Sequence, residues 1–370
     1  MVKIIITVAL ILGLAAPLGA EWPEQNLTLV SGLPPTLPWS TEADYQANPQ
    51  ALILESLVPR LSRELGVPVT LVSRPQGRGV LAANLVAGAW PDGYLLGALD
   101  PDSALIRVIL GYTPYIWTEI TPVATAWRMY PAIVVRADFG ADDLLALARM
   151  NPAPRLAHTG LAEPLTDPAS AEAGSGRDRR PADNLPAPTP ASAPGLAAAA
   201  PLESAVYLAL DAARAAGFNW QLTQVERLDP ALLLEGRAEA LVLPLGWLER
   251  HPQAESFKVL TILSYDENPP CGRGRPRPTL GSQGLTGLME EPPLAFYLPA
   301  KVNWRARSRL LTALNNSLRQ PAVAQSVSEA CLKLYIEDQD GAMAVMSQAY
   351  RDLERGLAAS AALAPAEDKP

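Results

Sequence analysis

The stretch SGLPPTLPWSTEAD, residues 31–44, gathers the densest set of groups able to contact a ligand. It follows a strand-like LTLV (Leu27–Val30), the place where an α/β chain turns its backbone toward a bound molecule. Gly32 exposes a bare amide, and Thr36, Ser40 and Thr41 carry hydroxyls. Trp39 offers a broad face that can stack on a solute or cover the helix behind it. Leu33 and Pro34 shape the turn, and its three prolines each lack an N–H donor. Two more candidates stand at strand ends. Asp100, after YLLGAL, can accept a bond from a ligand donor, and His158-Thr159-Gly160, after PRLAH, offers an imidazole, a hydroxyl and an amide. This is chemistry for holding a solute by hydrogen bonds.

Machinery for covalent chemistry does not accompany it. The chain has no G-x-S-x-G elbow, no phosphate loop and no H-E-x-x-H, and its RPQGRG turn falls short of a dinucleotide fingerprint. The expectation is a non-enzyme without a cofactor. His158, His251, Cys271 and Cys331 are too few to make a metal site without strong help from carboxylates.

Composition narrows the setting. Lys3 precedes the apolar run IIITVALILGLAA, and PLGA ends at small residues, which reads as a secretory signal peptide over residues 1–20 cleaved near Ala20. A retained N-terminal anchor is the alternative. Losing Lys3 with that segment takes the net charge from −8 to −9, a poor match for nucleic acid or anionic lipid. The expected location is the periplasm. There the two cysteines can form one disulfide, Cys271–Cys331; the alternative is two unpaired thiols with Cys331 buried on an apolar helix face.

The elements that must position these groups alternate. LTLV, the helix ALILESLVPRLSREL ended by Gly66, VPVTLVS, the helix VLAANLVAGA and YLLGALD make two strand–helix–strand cycles, the pattern of a mainly parallel sheet. Gly77 and Gly79 suit turn geometry, and Asp92 in PDG is a turn former. The pattern restarts with PAIVVR and PRLAH, then vanishes between residues 163 and 201, where proline, alanine, serine and charge dominate. Order resumes with ESAVYLALDAARAAG, NWQLTQV, AEALVLP and FKVLTILS. GRGRPRP (272–278) reads as a solvated loop, with an anion-binding patch as the sharper alternative. Long strands near 119–127 and 257–264 serve as crossovers between two lobes, with a cleft between them. The expected division is 21–124 with 258–330 for lobe 1, 125–257 for lobe 2 including the insert, and C-terminal helices over 331–370.

The order of motifs resembles the extracytoplasmic solute receptors of tripartite tricarboxylate transporters, the Bug-type receptors. WPE before LTLV, ELGVPVTLVSRPQGRG and AWPDGYLLGALD carry the likeness, with Arg74, Pro75, Gly77 and Gly79 keeping the turn and Trp90–Tyr94 the PDGY signature. ITPVATAWRMYPAIVVRADF and EGRAEALVLPLGWLERH also fit, so the likeness spans most of the chain outside the insert. It implies a two-lobe, Venus-flytrap binding protein, monomeric, that delivers a small carboxylate or a derivative to integral membrane subunits. The ligand loops depart from the family pattern. A PFAAGGGTD-like loop is replaced, its GGGTD positions falling on Ala47, Asn48, Pro49, Gln50 and Ala51, and a YGSSGNGS-like loop survives only as His158-Thr159-Gly160. A PYKG-like segment is likewise lost at Glu226-Arg227-Leu228. A degenerate receptor acting as a ligand-free interaction or signalling module is the competing expectation.

Overall fold

A computed structural model of the protein describes residues 22–35, 48–111, 113–158, 203–225, 228–271 and 277–361, with side chains to residue 357. The leader (1–20), the insert (163–201), Thr36, Trp39, Ser40, Thr41, Thr159 and Gly160 lie outside the described residues.

Among the described residues the strands form two sheets. In chain order they are β1 (Leu27–Ser31), β2 (Val69–Ser73), β3 (Leu95–Leu99), β4 (Ile120–Arg128), β5 (Pro131–Arg136), β6 (Arg155–His158), β7 (Gln221–Gln224), β8 (Ala240–Pro244), β9 (Phe257–Ile262), β10 (Leu294–Pro299) and β11 (Lys333–Leu334). The first sheet runs β11-β4-β10-β3-β1-β2 and the second β7-β6-β8-β5-β9. The two-lobed α/β architecture stands, but the sheets are mixed rather than mainly parallel. β1 pairs parallel with β2 and β3, whereas β10 inserts antiparallel between β3 and β4 when the chain returns from the second lobe. The second sheet repeats this, with β6 parallel to β7 and β8, and β5 antiparallel to β8 and β9.

The helices that matter for the site are α1 (Pro49–Leu65), α2 (Val80–Ala87), α3 (Ser204–Ala215), α4 (Leu245–Arg250), α5 (Trp304–Leu318), α6 (Pro321–Glu329) and α7 (Gln339–Ala361). α1 shows why they form where they do. Asn48 sits at its N-cap in extended backbone and accepts the Gln50 N–H at 3.0 Å, while Pro49, at the first helical position, has no N–H to leave unpaired. Ile53, Leu54, Leu57, Leu61 and Leu65 recur at helical spacing and are buried. Gly66 ends the helix at φ 77 with its N–H on the Ser62 carbonyl.

Three packed cores follow. One lies between the first sheet and α1, α5 and α6, through Leu29, Leu54, Trp127, Phe296 and Leu314. Another covers the outer face of the second sheet and α4, through Val134, Leu241, Trp247 and Phe257. The largest is shared: Val30, Leu99 and Tyr297 of the first sheet join Ile133, Leu156 and Val242 of the second, closed by α3 and α7. The lobes are therefore welded on one side.

Both lobe boundaries fall elsewhere than expected, the first because β4 stays in the first sheet to Arg128, which puts the crossover at residues 129–131 rather than at 124/125. β9 belongs to the second sheet, because Phe257–Ile262 pairs with β5, so the return to the first lobe lies within 263–293 rather than at 257/258. Cys331 is not on a helix face. α6 ends at Glu329, the Cys331 N–H reaches back to the Ser328 carbonyl, and Cys331 turns at φ 59 before β11 joins β4. Its sulfur is bonded to Cys271, which packs on the second-lobe core, while Ala330 and Leu332 belong to the first-lobe core. The disulfide thus joins the lobes. Beside it, a Cβ at Gly246 would lie 2.5 Å from the Ala330 carbonyl oxygen and 2.6 Å from Cys331 Cβ, so α4 meets the first lobe backbone to backbone.

Candidate functional site

A cavity of about 280 Å3 lies between the lobes, beside the crossover at residues 129–131. The first lobe contributes Gly32, Leu33, Pro34, Arg78, Asp100 and Asp102. α4 contributes Gly246, Trp247 and Arg250, and the start of α3 contributes Glu203 and Ser204. Four of the eleven residues expected at the site, Gly32, Leu33, Pro34 and Asp100, line this space. His158 is buried at the end of β6 and does not line it. Burial holds its imidazole below the usual range, with the Glu203 charge opposing.

The first loop keeps its place but spends its amides internally. The Gly32 N–H donates to the Ala98 carbonyl at 3.2 Å, and the Leu33 N–H donates to Ser31 Oγ at 3.1 Å. Gly32 itself is a packing residue. A Cβ on Gly79, at φ 84, would come 2.8 Å from Ser103 Cβ and 3.0 Å from Gly32 Cα. The loop therefore rests directly on the RPQGRG turn and the helical turn after β3. Asn48, at the GGGTD-equivalent position, donates from Nδ2 to the Pro34 carbonyl at 3.0 Å, tying the loop to α1.

The acids define the cavity's chemistry. Asp100 Oδ1 accepts from the Ser103 N–H at 2.9 Å and its Oγ–H at 2.6 Å. Asp102 Oδ1 accepts the Ser204 N–H at 2.8 Å, at the N-terminus of α3, and the Ser204 hydroxyl donates to Glu291 Oε1 at 2.8 Å. Arg78 forms an ion pair with Glu203 and lies within range of Asp102 and Asp100, which together outweigh its burial and raise it. Three carboxylates thus gather around one guanidinium, with Glu291 joining them through Ser204 and Asp102. Burial, then repulsion from Asp100 and Glu203, pushes Asp102 up to about 7. Burial, then Asp102, pushes Glu291 up to about 8. Asp100 is raised by burial against the pull of its Ser103 bonds. Asp102 and Glu291 are thereby shifted toward holding protons near neutrality.

The α4 wall is different. Trp247 is 4% exposed and its indole N–H has no acceptor among the described residues. Arg250, at the end of the helix, keeps part of its side chain in solvent, and the partial burial of its guanidinium against the wall lowers it. Sequence reasoning missed Asp102, Glu203, Glu291 and Trp247. Asp102 sits one turn past a strand end it did consider, whereas Glu203, Glu291 and Trp247 arrive from segments far apart in the chain. Arg74, by contrast, turns to its own Ser73 carbonyl at 3.0 Å and is no part of the site. Arg277, the described arginine of GRGRPRP, forms an ion pair with Glu249.

No known family profile matches the sequence, and no curated protein matches it. Solved structures do. A TctC solute-binding protein from Polaromonas superposes with a TM-score of 0.63 at 15% identity, covering 92% of this chain and 99% of that one. The periplasmic binding protein BugD gives 0.60 at 15%, over 92% and 99%. MatC from Rhodopseudomonas palustris, solved with bound malate, gives 0.60 at 16%, over 91% and 100%. At these identities the likeness speaks for architecture: the chain has the two-lobed fold of the TctC and Bug-type solute-binding proteins.

Proposed function

We propose that the chain is a receptor that captures a small organic solute between its lobes and delivers it to the integral membrane subunits of a tripartite tricarboxylate-type transporter. The observation that carries this reading is the cavity walled by both sheets beside the interlobe crossover. The fold shared with TctC and MatC supports it, as do the RPQGRG turn and the PDGY segment at their expected places. In the latter, the Asp92 carboxylate accepts the Tyr94 N–H at 3.0 Å, and the Tyr94 ring packs on Trp22 at 5.5 Å. The reading makes the protein a monomeric periplasmic binder without catalysis or cofactor. Among the described residues no helix is long and apolar enough to cross a membrane.

A thermal-shift screen against dicarboxylates, amino acids, aromatic acids and amines tests it, followed by small-angle scattering on any hit. A true solute at a hundred times its Kd stabilises the folded state by about 2.7 kcal/mol and contracts the molecule. No stabilisation across the whole panel would overturn the receptor reading in favour of a ligand-free interaction module.

A further inference from the structure

Three features of the cavity bear on the kind of solute it takes. First, the positions that favour an anion are already occupied by the protein's own carboxylates. A helix N-terminus attracts negative charge, and at α3 Asp102 supplies it through the Ser204 N–H, while Glu291 takes the Ser204 hydroxyl. Second, many of the backbone donors on the wall are committed or missing. The Gly32, Leu33 and Leu245 N–H groups bond to Ala98, Ser31 and Tyr130, and Pro34, Pro49, Pro75, Pro131 and Pro244 on the wall have none. Third, two deeply buried polar atoms on the wall have no partner among the described residues: Oε2 of Glu291, a residue 2% exposed, and the indole N–H of Trp247.

These groups differ in kind. The acid side holds Asp100, Asp102, Glu203 and Glu291 with Arg78 among them. The α4 side holds a free indole donor, with Arg250 exposed at the end of the helix. We propose that the cavity binds a small amino-acid-type solute, its ammonium seated among Asp100, Asp102 and Glu291 and its carboxylate received by Trp247 Nε1 and Arg250. This rests on the receptor reading and sharpens it. The neighbouring space is lined by Leu33, Leu243 and Leu332, so an aliphatic spacer between the two charged ends matches the wall.

Proton linkage follows from the same geometry. Glu291 faces Asp102 and Asp100 from the first lobe, Ser204 from α3 and Arg128 from β4, the last being paired with Glu290 at 2.8 Å. Asp102 faces Asp100, Glu203 and Arg78. An ammonium entering this group displaces its protons, so affinity rises with pH across the range where the cluster ionises, while an alkyl amine keeps its own charge.

The experiment is titration calorimetry on the full mature chain with three matched series of three to six carbons: ω-amino acids, diacids and diamines. The expected result is that one ω-amino acid binds at least tenfold tighter than the diacid and the diamine of its length. Its affinity should increase at least threefold from pH 6 to pH 8.5. A diacid binding as tightly as the matched amino acid overturns the ammonium seat, and a diamine doing so overturns the α4 acceptor. Trp247→Phe, which keeps the packing, should weaken the amino acid at least fivefold and leave the diamine unchanged; equal effects on both overturn the assignment of ends. If no member of the series binds, the thermal-shift panel decides. A hit bearing both an amine and a carboxylate supports the proposal, a hit lacking either overturns it, and an empty panel removes the receptor reading itself.

Discussion

Replacing Glu291 with glutamine should make the protein more stable in mild alkali. Glu291 is 2% exposed, and burial with the Asp102 charge raises it from 4.5 to about 8. A carboxyl raised on folding binds more protons in the native than in the unfolded state between those two values. Its contribution is complete below about pH 4.5 and is lost as pH rises through about 8. The size of the loss follows from the shift, about 1.36 kcal/mol per unit, and sharing of the repulsion with Asp102 brings it to roughly 3–5 kcal/mol. Glutamine does not titrate, and its Oε1 can still accept the Ser204 hydroxyl. Wild type and E291Q should therefore melt together at pH 5 and separate by about 5–10 °C at pH 8.5, with the variant higher. Circular-dichroism melts at pH 5, 6.5 and 8.5 measure this. Parallel curves would show that Glu291 ionises freely, and the acid cluster would lose its proton-holding member.

Other perturbations probe the same framework. Arg78→Met leaves Glu203, Asp102 and Asp100 without their shared cation, and urea unfolding should show a loss of about 3 kcal/mol at pH 8 that shrinks toward pH 5 as Asp102 protonates. Cys331→Ser opens a loop of 60 residues and should lower stability by roughly 4 kcal/mol, and dithiothreitol added to the wild type should reproduce the drop in Tm. Asn48→Ala removes the cap of α1 and the bond to the Pro34 carbonyl, for about 1–2 kcal/mol by chemical denaturation. Gly79→Ala would push a Cβ against Ser103 and Gly32 at positive φ, and a loss of at least about 2 kcal/mol in the same assay is expected; an unchanged midpoint would show that the loop does not rest on that turn.

Much of the scaffold was legible because it is local. Gly66 ends α1 as expected, and Leu54, Leu57 and Leu61 announce its buried face within a single segment, although the helix begins at Pro49, two residues before the run that reads as helical. The PDG turn and the strand runs LTLV and PAIVVR are equally self-contained. Strand direction was harder, since β10 reads as any apolar run until its neighbours are known. The cavity was harder still. Asp100 was visible because it ends a strand, but its meaning changes once Glu203 and Glu291, more than a hundred residues away in sequence, stand beside it. The Cys271–Cys331 bond was expected from the two cysteines alone, but the short strand β11 beside it was not, because the CLKL run reads as helix.

If the chain is the receptor proposed above, the bond between Cys271 and Cys331 has a consequence for how often the cleft is ready to bind. A two-lobed receptor samples open and closed forms, and its apparent affinity is the intrinsic one scaled by the fraction of molecules already competent. A covalent tie beside the cavity, next to the tight contact of Gly246 with Ala330, excludes the widest openings from that distribution. The remaining conformers lie nearer the closed form, so less of the solute's binding energy goes into gathering the lobes. On that reading, reduction would leave the groups assigned to the solute's charged ends unchanged and still weaken its capture, by enlarging the population that is not poised to receive it.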